Sequence, residues 1–160
     1  ARALVNDPAI VFLDEPTTGL DPQARHLIWE RLKHLKNQGK TLILTTHFMD
    51  EAERLADHLI VIDRGRQIAG GSPRQLIATH IEPQVVEVYD EAGGDLAAFV
   101  DAHRALAGRV EVSGETAFFY CRDPQPLLAA LHGRDGLRFI HRASNLEDVF
   151  IKLTGRELRD

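Results

Sequence analysis

The 160-residue sequence has a single cysteine, Cys121, embedded in "TAFFYC". An internal disulfide framework is thereby excluded, and a reducing compartment fits. No apolar run approaches the roughly 20 residues needed to cross a bilayer as a helix, and no basic-then-apolar segment opens the chain. Membrane contact is therefore expected to pass through a partner. No G-x-x-x-x-G-K-[ST] occurs, so neither the backbone amides nor the lysine of a phosphate-cradling loop is supplied here. Excess positive charge is also lacking. Net charge is -5, with 10 Lys/Arg against 10 Asp/Glu in residues 1–80 and 9 against 14 in residues 81–160. A nucleic-acid partner is not expected from this balance. There is no internal repeat and no low-complexity tract. The opening "ARALVNDP" has no initiating methionine and reads as the back half of a helix, so a fragment of a longer protein is expected.

What is present is a sequence with 44% apolar residues, long enough to bury a core. "AIVFLD" is a continuous apolar run suited to a strand buried on both faces. Residues 23–38 then place Leu27, Ile28, Leu32 and Leu35 on one side of a helix, with Asp21 as cap, Pro22 in the first turn and Gly39 at the end. "KTLILTT" reads as a second buried strand, "FMDEAERLADH" as a helix with Ala52, Leu55, Ala56 and Leu59 inside, and "LIVID" as a third strand. "RG" at 64–65 turns the chain into "RQIAG", and "SPRQ" at 72–75 has the form of a capping box. This alternation predicts a parallel sheet with helical cover over residues 1–79. Beyond a linker at "HIEPQ", the strands "VVEVYD", "RVEVSG", "TAFFYC" and "LRFIHR" alternate with helices at 95–107, 124–132 and 145–154, the last opened by "SNLE" as a capping box. Residues 80–160 are therefore expected to form a small α+β module.

Asp14 closes the first apolar strand and Glu15 begins the loop beyond its carboxyl end, where ligands bind in open α/β sheets. Neighbouring strand residues point in different directions, so the two acids divide the work. One can hold a magnesium ion through its water shell, while the other meets an attacking water near a phosphate. "TTGLD" follows, with small hydrogen-bonding residues, Gly19, and Asp21 just before a helix. One crossover later, "TTH" ends the second buried strand. If the strands are parallel neighbours, His47 emerges at the same sheet edge and can couple a phosphate oxygen to the glutamate and its water.

Together, "IVFLDEP", "TTGLD" and "TTHFMDEAERLADHLIVIDRGRQIAGGSP" resemble the Walker B strand, the D-loop and the switch-histidine segment of ATP-binding cassette (ABC) transporter ATPases. The resemblance covers residues 1–79 and implies the C-terminal part of a P-loop NTPase domain of α/β class. It implies that Asp14 organises Mg²⁺ at the bound ATP, Glu15 polarises the hydrolytic water, Asp21 communicates across a nucleotide-sandwich dimer, and His47 contacts the γ-phosphate. The family's P-loop, glutamine loop and signature sequence do not occur in these 160 residues. The chain alone is therefore expected to lack ATPase activity and to bind no cofactor tightly.

The tail, notably "ASNLEDVFIKLTGREL", resembles the C-terminal module of exporter ATPases of the drug-resistance and nodulation type. That resemblance implies a peripheral subunit on the cytoplasmic face of the plasma membrane, a separate membrane permease, a second ATPase copy, and an amphiphilic cargo such as a lipochitooligosaccharide. Phe118, Phe119 and Tyr120 read as a core strand, and Val149, Phe150 and Leu153 as the buried face of a helix. His103, His132 and His141 have no metal-ligand spacing with Cys121. Two other readings compete: a soluble cassette ATPase of DNA repair or translation, and a non-enzymatic interaction module. Exposed sheet edges would also favour self-association of the chain.

Overall fold

The computed structural model describes residues 4–91 and 95–155. Residues 1–3 of the expected opening helix lie outside this range, and Val5 and Asn6 form a turn. Strand β1 (Ile10–Asp14) leads through a loop into helix α1 (Pro22–Asn37), strand β2 (Thr41–Thr45) and helix α2 (Met49–Leu55). β1 and β2 pair in parallel, from Ile10 opposite Thr41 to Asp14 opposite Thr45. The α1 crossover is delimited as its sequence predicts. Asp21 accepts a hydrogen bond from the Ala24 amide at 2.8 Å, and Pro22 occupies the first turn. At the other end Gly39, at φ +84°, lets the Lys40 amide reach back to Leu35 O and the Gly39 amide to Lys36 O. That double return is a Schellman stop.

One face of the two-stranded sheet packs on the helices. Leu13, Leu42 and Leu44 lie against Trp29, Leu32, Leu35 and Leu55. The expected inner face of α1 is corrected in one respect, because Trp29 is buried and Leu27 is 67% exposed. The opposite sheet face carries Ile10, Phe12 and Ile43, with Phe12 74% exposed. The expectation of a strand buried on both sides therefore fails here. Alternation sends successive side chains to opposite faces, and among the described residues only one face has a cover.

The third strand, β3 (Leu59–Asp63), does not join β1 and β2. It forms an antiparallel hairpin with β4 (Arg66–Gly71). Arg64 and Gly65 both have positive φ, 49° and 74°, the left-handed pair of a type I′ turn, whose twist suits two strands joined by two residues. This local pairing competes with extension of the parallel sheet. Helix α3 (Pro73–His80) opens with the expected capping box of Ser72 and Gln75.

The second half is an antiparallel sheet in the order β6-β7-β5-β8, built from β5 (Gln84–Asp90), β6 (Arg109–Ser113), β7 (Thr116–Cys121) and β8 (Leu137–Ala143). Helices α4 (Leu96–His103) and α5 (Gln125–Leu131) cover one face, over Val86, Val88, Ala117, Phe119 and Cys121. Phe99 meets Phe119 edge to face at 5.9 Å. Burial pushes the Cys121 thiol pKa up, helped by Glu82 and Asp123, which keeps it protonated and inert. Helix α6 (Leu146–Thr154) covers the other face. There Val85, Tyr120, Leu146 and Val149 share a core with Val61 and Leu76, flanked by Met49, Ala52 and Phe150.

The capping box of α6 is shifted by one residue from the expected "SNLE". Asn145 and Asp148 form it, while Ser144 donates its hydroxyl to Glu82 O. Glu53 of α2 accepts a hydrogen bond from the Leu146 amide at 2.8 Å, tying the two halves together. Acids crowd this junction. Desolvation and then Asp148 raise the Glu147 carboxyl pKa, with Asp50 and Glu87 adding to the effect and Arg142 opposing it. A raised folded-state pKa favours the folded state at low pH, and that contribution is lost as pH rises through the folded value. Glu147 is nevertheless exposed, so solvent screens the effect, and Glu147→Gln should raise Tm only slightly at pH 7, with the advantage closing as pH falls toward the ordinary glutamate value of about 4.3. A pH series of thermal melts checks this, and a pH-independent difference would refute it.

Candidate functional site

Because β1 and β2 are parallel and in register, their carboxyl ends release Glu15 and His47 at the same sheet edge. His47 Nδ1 lies 3.2 Å from Glu15 Oε1. Both side chains are about half exposed, at 49% and 48%. Solvent screening makes the pair a small contributor to stability, and the exposure leaves it open to a ligand. Thr18 Oγ1 donates to the other carboxylate oxygen, Glu15 Oε2, at 3.0 Å. The Glu15 amide donates to Thr45 O at 3.0 Å, and Glu15 itself sits at φ +43°, in the left-handed region that only a few per cent of non-glycine residues enter. Two side-chain partners and one backbone anchor thus fix the orientation of this carboxylate.

Asp14 diverges from Glu15, as expected for strand alternation. Its Oδ1 accepts a hydrogen bond from the Thr45 hydroxyl. Among the described residues no group of three or more His, Cys, Asp or Glu side chains is arranged to hold a metal. A single exposed carboxylate at a strand end still fits a magnesium ion that keeps most of its water shell. Asp21 is exposed, with one oxygen committed to the α1 cap.

The tautomer limits what His47 can do. With Nδ1–H donated to Glu15, a neutral ring offers Nε2 only as an acceptor. Contact with a phosphate oxygen through Nε2 requires either the doubly protonated ring or the other tautomer. Phe48 lies beside the imidazole, with ring centroids 4.2 Å apart, and the Arg25 guanidinium sits 4.1 Å over the Phe48 ring.

Several of these contacts were not visible as site features in the sequence. Thr18 and Thr45 belong to the threonine pairs "TTG" and "TTH", whose small hydroxyl side chains were a usable signal. Arg25 and Phe48 gave none beyond proximity in sequence. Glu51 gave none either, yet it is fully buried and accepts from Thr17 Oγ1 at 2.8 Å and Trp29 Nε1 at 3.0 Å. It reads as a polar residue on a helix surface, and only the packing shows that α2 turns it inward.

Comparisons with known proteins find similarity over both halves of the chain. Residues 97–155 match the family described as "Nodulation factor export protein NodI, C-terminal domain", and residues 2–48 match "AAA domain, putative AbiEii toxin, Type IV TA system". The "Nod factor export ATP-binding protein I" of Cupriavidus metallidurans strain CH34 is 64% identical over 160 residues, covering 100% of this chain and 52% of that protein. Its namesake from Ralstonia nicotianae is 61% identical over 166 residues, covering 100% and 51%. The solved structure of cbiO1 from Clostridium perfringens, described as part of the ABC transporter complex cbiONQ, is 37% identical, covers 45% of this chain and 29% of that one, and has a TM-score of 0.41. The chain spans about half the length of the curated relatives it matches.

Proposed function

We propose that the chain is part of an ATP-binding subunit of an ABC transporter of the Nod factor exporter type, and that it forms the hydrolytic edge of that export ATPase. Its identity to Nod factor export ATP-binding proteins and its match to the NodI C-terminal domain support this reading. The observation that carries this reading is the Glu15–His47 contact, built from two parallel strand ends with both side chains open to solvent. In the full-length protein, Asp14 would hold a hydrated Mg²⁺, which supplies positive charge against the phosphates. A water hydrogen-bonded to the Glu15 carboxylate becomes a stronger nucleophile as its proton shifts to that oxygen, the ordinary action of a general base. His47 and Thr18 each hold one oxygen of that carboxylate, so its orientation does not depend on a ligand. In the doubly protonated form His47 keeps Nδ1–H on Glu15 and also presents Nε2–H toward a γ-phosphate oxygen, whereas the other neutral tautomer would give up the Glu15 contact to do so. Asp21 caps α1 and remains exposed, a position suited to a second copy of the subunit across a nucleotide.

Residues 1–79 serve as the nucleotide-facing part and residues 80–160 as the accessory domain. The subunit works at the cytoplasmic face of the plasma membrane with a separate permease, a reading supported by its similarity to Nod factor export ATP-binding proteins; no helix among the described residues is long and apolar enough to cross a membrane. Its cargo is a small amphiphile such as a lipochitooligosaccharide or a drug-like compound. The open face of Ile10, Phe12 and Ile43 supports self-association of the 160-residue chain when it is isolated.

The chain carries no G-x-x-x-x-G-K-[ST], so the phosphate-holding part of the site comes from elsewhere in the full-length protein. Phosphate release from Mg²⁺–ATP should be readily measured with that protein and remain at background with the 160 residues alone. Glu15-dependent hydrolysis by the isolated chain would refute the second half of this statement. A full-length protein that releases no phosphate would refute the first.

A further inference from the structure

Glu51 is a carboxylate with no exposed surface, and its placement is not explained by stability. Both hydrogen bonds, from Thr17 Oγ1 at 2.8 Å and Trp29 Nε1 at 3.0 Å, fall on Oε1. Oε2 is buried without a hydrogen-bond partner among the described residues. Burying a carboxylate and leaving one oxygen unpaired is costly, and an apolar side chain of similar size would avoid the cost. What Glu51 does instead is connect two segments. It lies four residues beyond His47, in the first turn of α2, and Thr17 lies two residues beyond Glu15.

We propose that Glu51 is a positioning residue that sets the Glu15 loop against the His47 segment; the inference rests on the reading of Glu15 and His47 as the hydrolytic pair. The physical path is short. Thr17 is completely buried and is held on the α2 side by the Glu51 carboxylate. Its carbonyl accepts from the Leu20 amide at 3.2 Å, and the Thr18 amide closes on Glu15 O at 3.2 Å, so fixing Thr17 fixes the turn from Glu15 to Leu20. That turn aims the Thr18 hydroxyl at Glu15 Oε2. On the other side, Trp29 seats the same carboxylate on α1, while Glu53 ties α2 to the amino end of α6. Glu51 thus occupies a point where the loop, the crossover helix and the helix following His47 share one acceptor.

The test separates a hydrogen-bonding link from mere packing by changing Thr17 in two directions in the full-length ATPase. Thr17→Val keeps the volume and removes the hydroxyl, and Thr17→Ser keeps the hydroxyl and removes a methyl group. Thr17→Val should lower kcat about tenfold or more with KM for ATP within about twofold, because small misplacements of reacting groups are costly in rate. Thr17→Ser should stay near the parent rate. Glu51→Leu should match Thr17→Val, and Glu51→Gln, whose amide oxygen still accepts both donors, should restore most of kcat. If Glu51→Leu does not fold, the Thr17 pair decides alone. A Thr17→Val protein at the parent rate, or a Thr17→Ser protein as impaired as Thr17→Val, overturns the proposal. Glu15→Gln in the same series separates the two levels. If it is inactive while Thr17→Val is unaffected, only the positioning role falls. If Glu15→Gln hydrolyses ATP at the parent rate, the catalytic reading beneath it falls as well.

Discussion

Replacing Glu15 with glutamine in the full-length ATPase should reduce ATP hydrolysis about 10²-fold or more, while nucleotide affinity changes by no more than about threefold. The amide keeps the shape of the side chain. One oxygen still accepts from His47 Nδ1, and the NH2 replaces the oxygen that accepts from the Thr18 hydroxyl, which can rotate to accept instead. What is lost is the negative charge that draws a proton from water. A loss confined to the chemical step is therefore expected, with binding preserved because no contact assigned to the nucleotide itself has been removed. Single-turnover phosphate release and equilibrium nucleotide binding, measured on the same preparation, separate these quantities. Hydrolysis within threefold of the parent would show that Glu15 is not the residue that activates water.

The largest effect on stability is expected far from that edge, in the charged cluster beneath α6. Arg142 on β8 donates to both oxygens of Asp148, at 2.7 and 2.9 Å, and to Glu87 on β5 at 2.5 Å. Asp148 is 3% exposed, and it also accepts from the Asn145 amide at 2.8 Å as part of the α6 cap. Tyr120 lies against the same group, its hydroxyl 3.3 Å from Asp148, and its phenol pKa is pushed well above the ordinary value by burial and then by Asp148 and Glu111. A second cation, Arg109, lies 3.9 Å over the Tyr120 ring but is paired with Glu111, and among the described residues Arg142 alone is ion-paired with Asp148. Arg142→Met keeps much of the stem and deletes the charge. The cost should be about 3 kcal/mol, the low end for breaking a buried ion pair, because Arg142 is partly exposed. Urea unfolding monitored by circular dichroism measures it. A change below about 0.5 kcal/mol would place this cluster with ordinary surface pairs.

The sequence made the local grammar of the fold readable. Asp21, Pro22 and Gly39 bounded α1, the "RG" dipeptide turned the β3–β4 hairpin, and Ser72 with Gln75 capped α3, because each acts on backbone groups only a few residues away. Asp14, Glu15 and His47 were readable as a group because a parallel crossover brings two strand ends to one edge, and the structure places them there. What was not readable depends on neighbours. An apolar run announces a strand and says nothing of how many faces are covered, which is why Phe12 is exposed where burial was expected. The same limitation let β3 pair with β4 in place of the parallel sheet, and it moved the α6 cap from Ser144 to Asn145, since Ser144 found a partner in Glu82 O. Glu51 was hidden most completely. Nothing in "FMDEAERL" distinguishes the acid that faces a core from the two that do not.

Glu15 has a further consequence through its backbone rather than its carboxylate. Its φ of +43° is unusual for a side-chain-bearing residue, and Pro16 immediately after it narrows the conformations open to it. The chain is therefore set into this conformation when the protein folds, before any nucleotide arrives. In the language of electron and proton transfer, such a site has little reorganisation energy left to supply at the moment of reaction. On the proposed reading of Glu15 as the base, this acid would need no rearrangement of its own backbone before it acts.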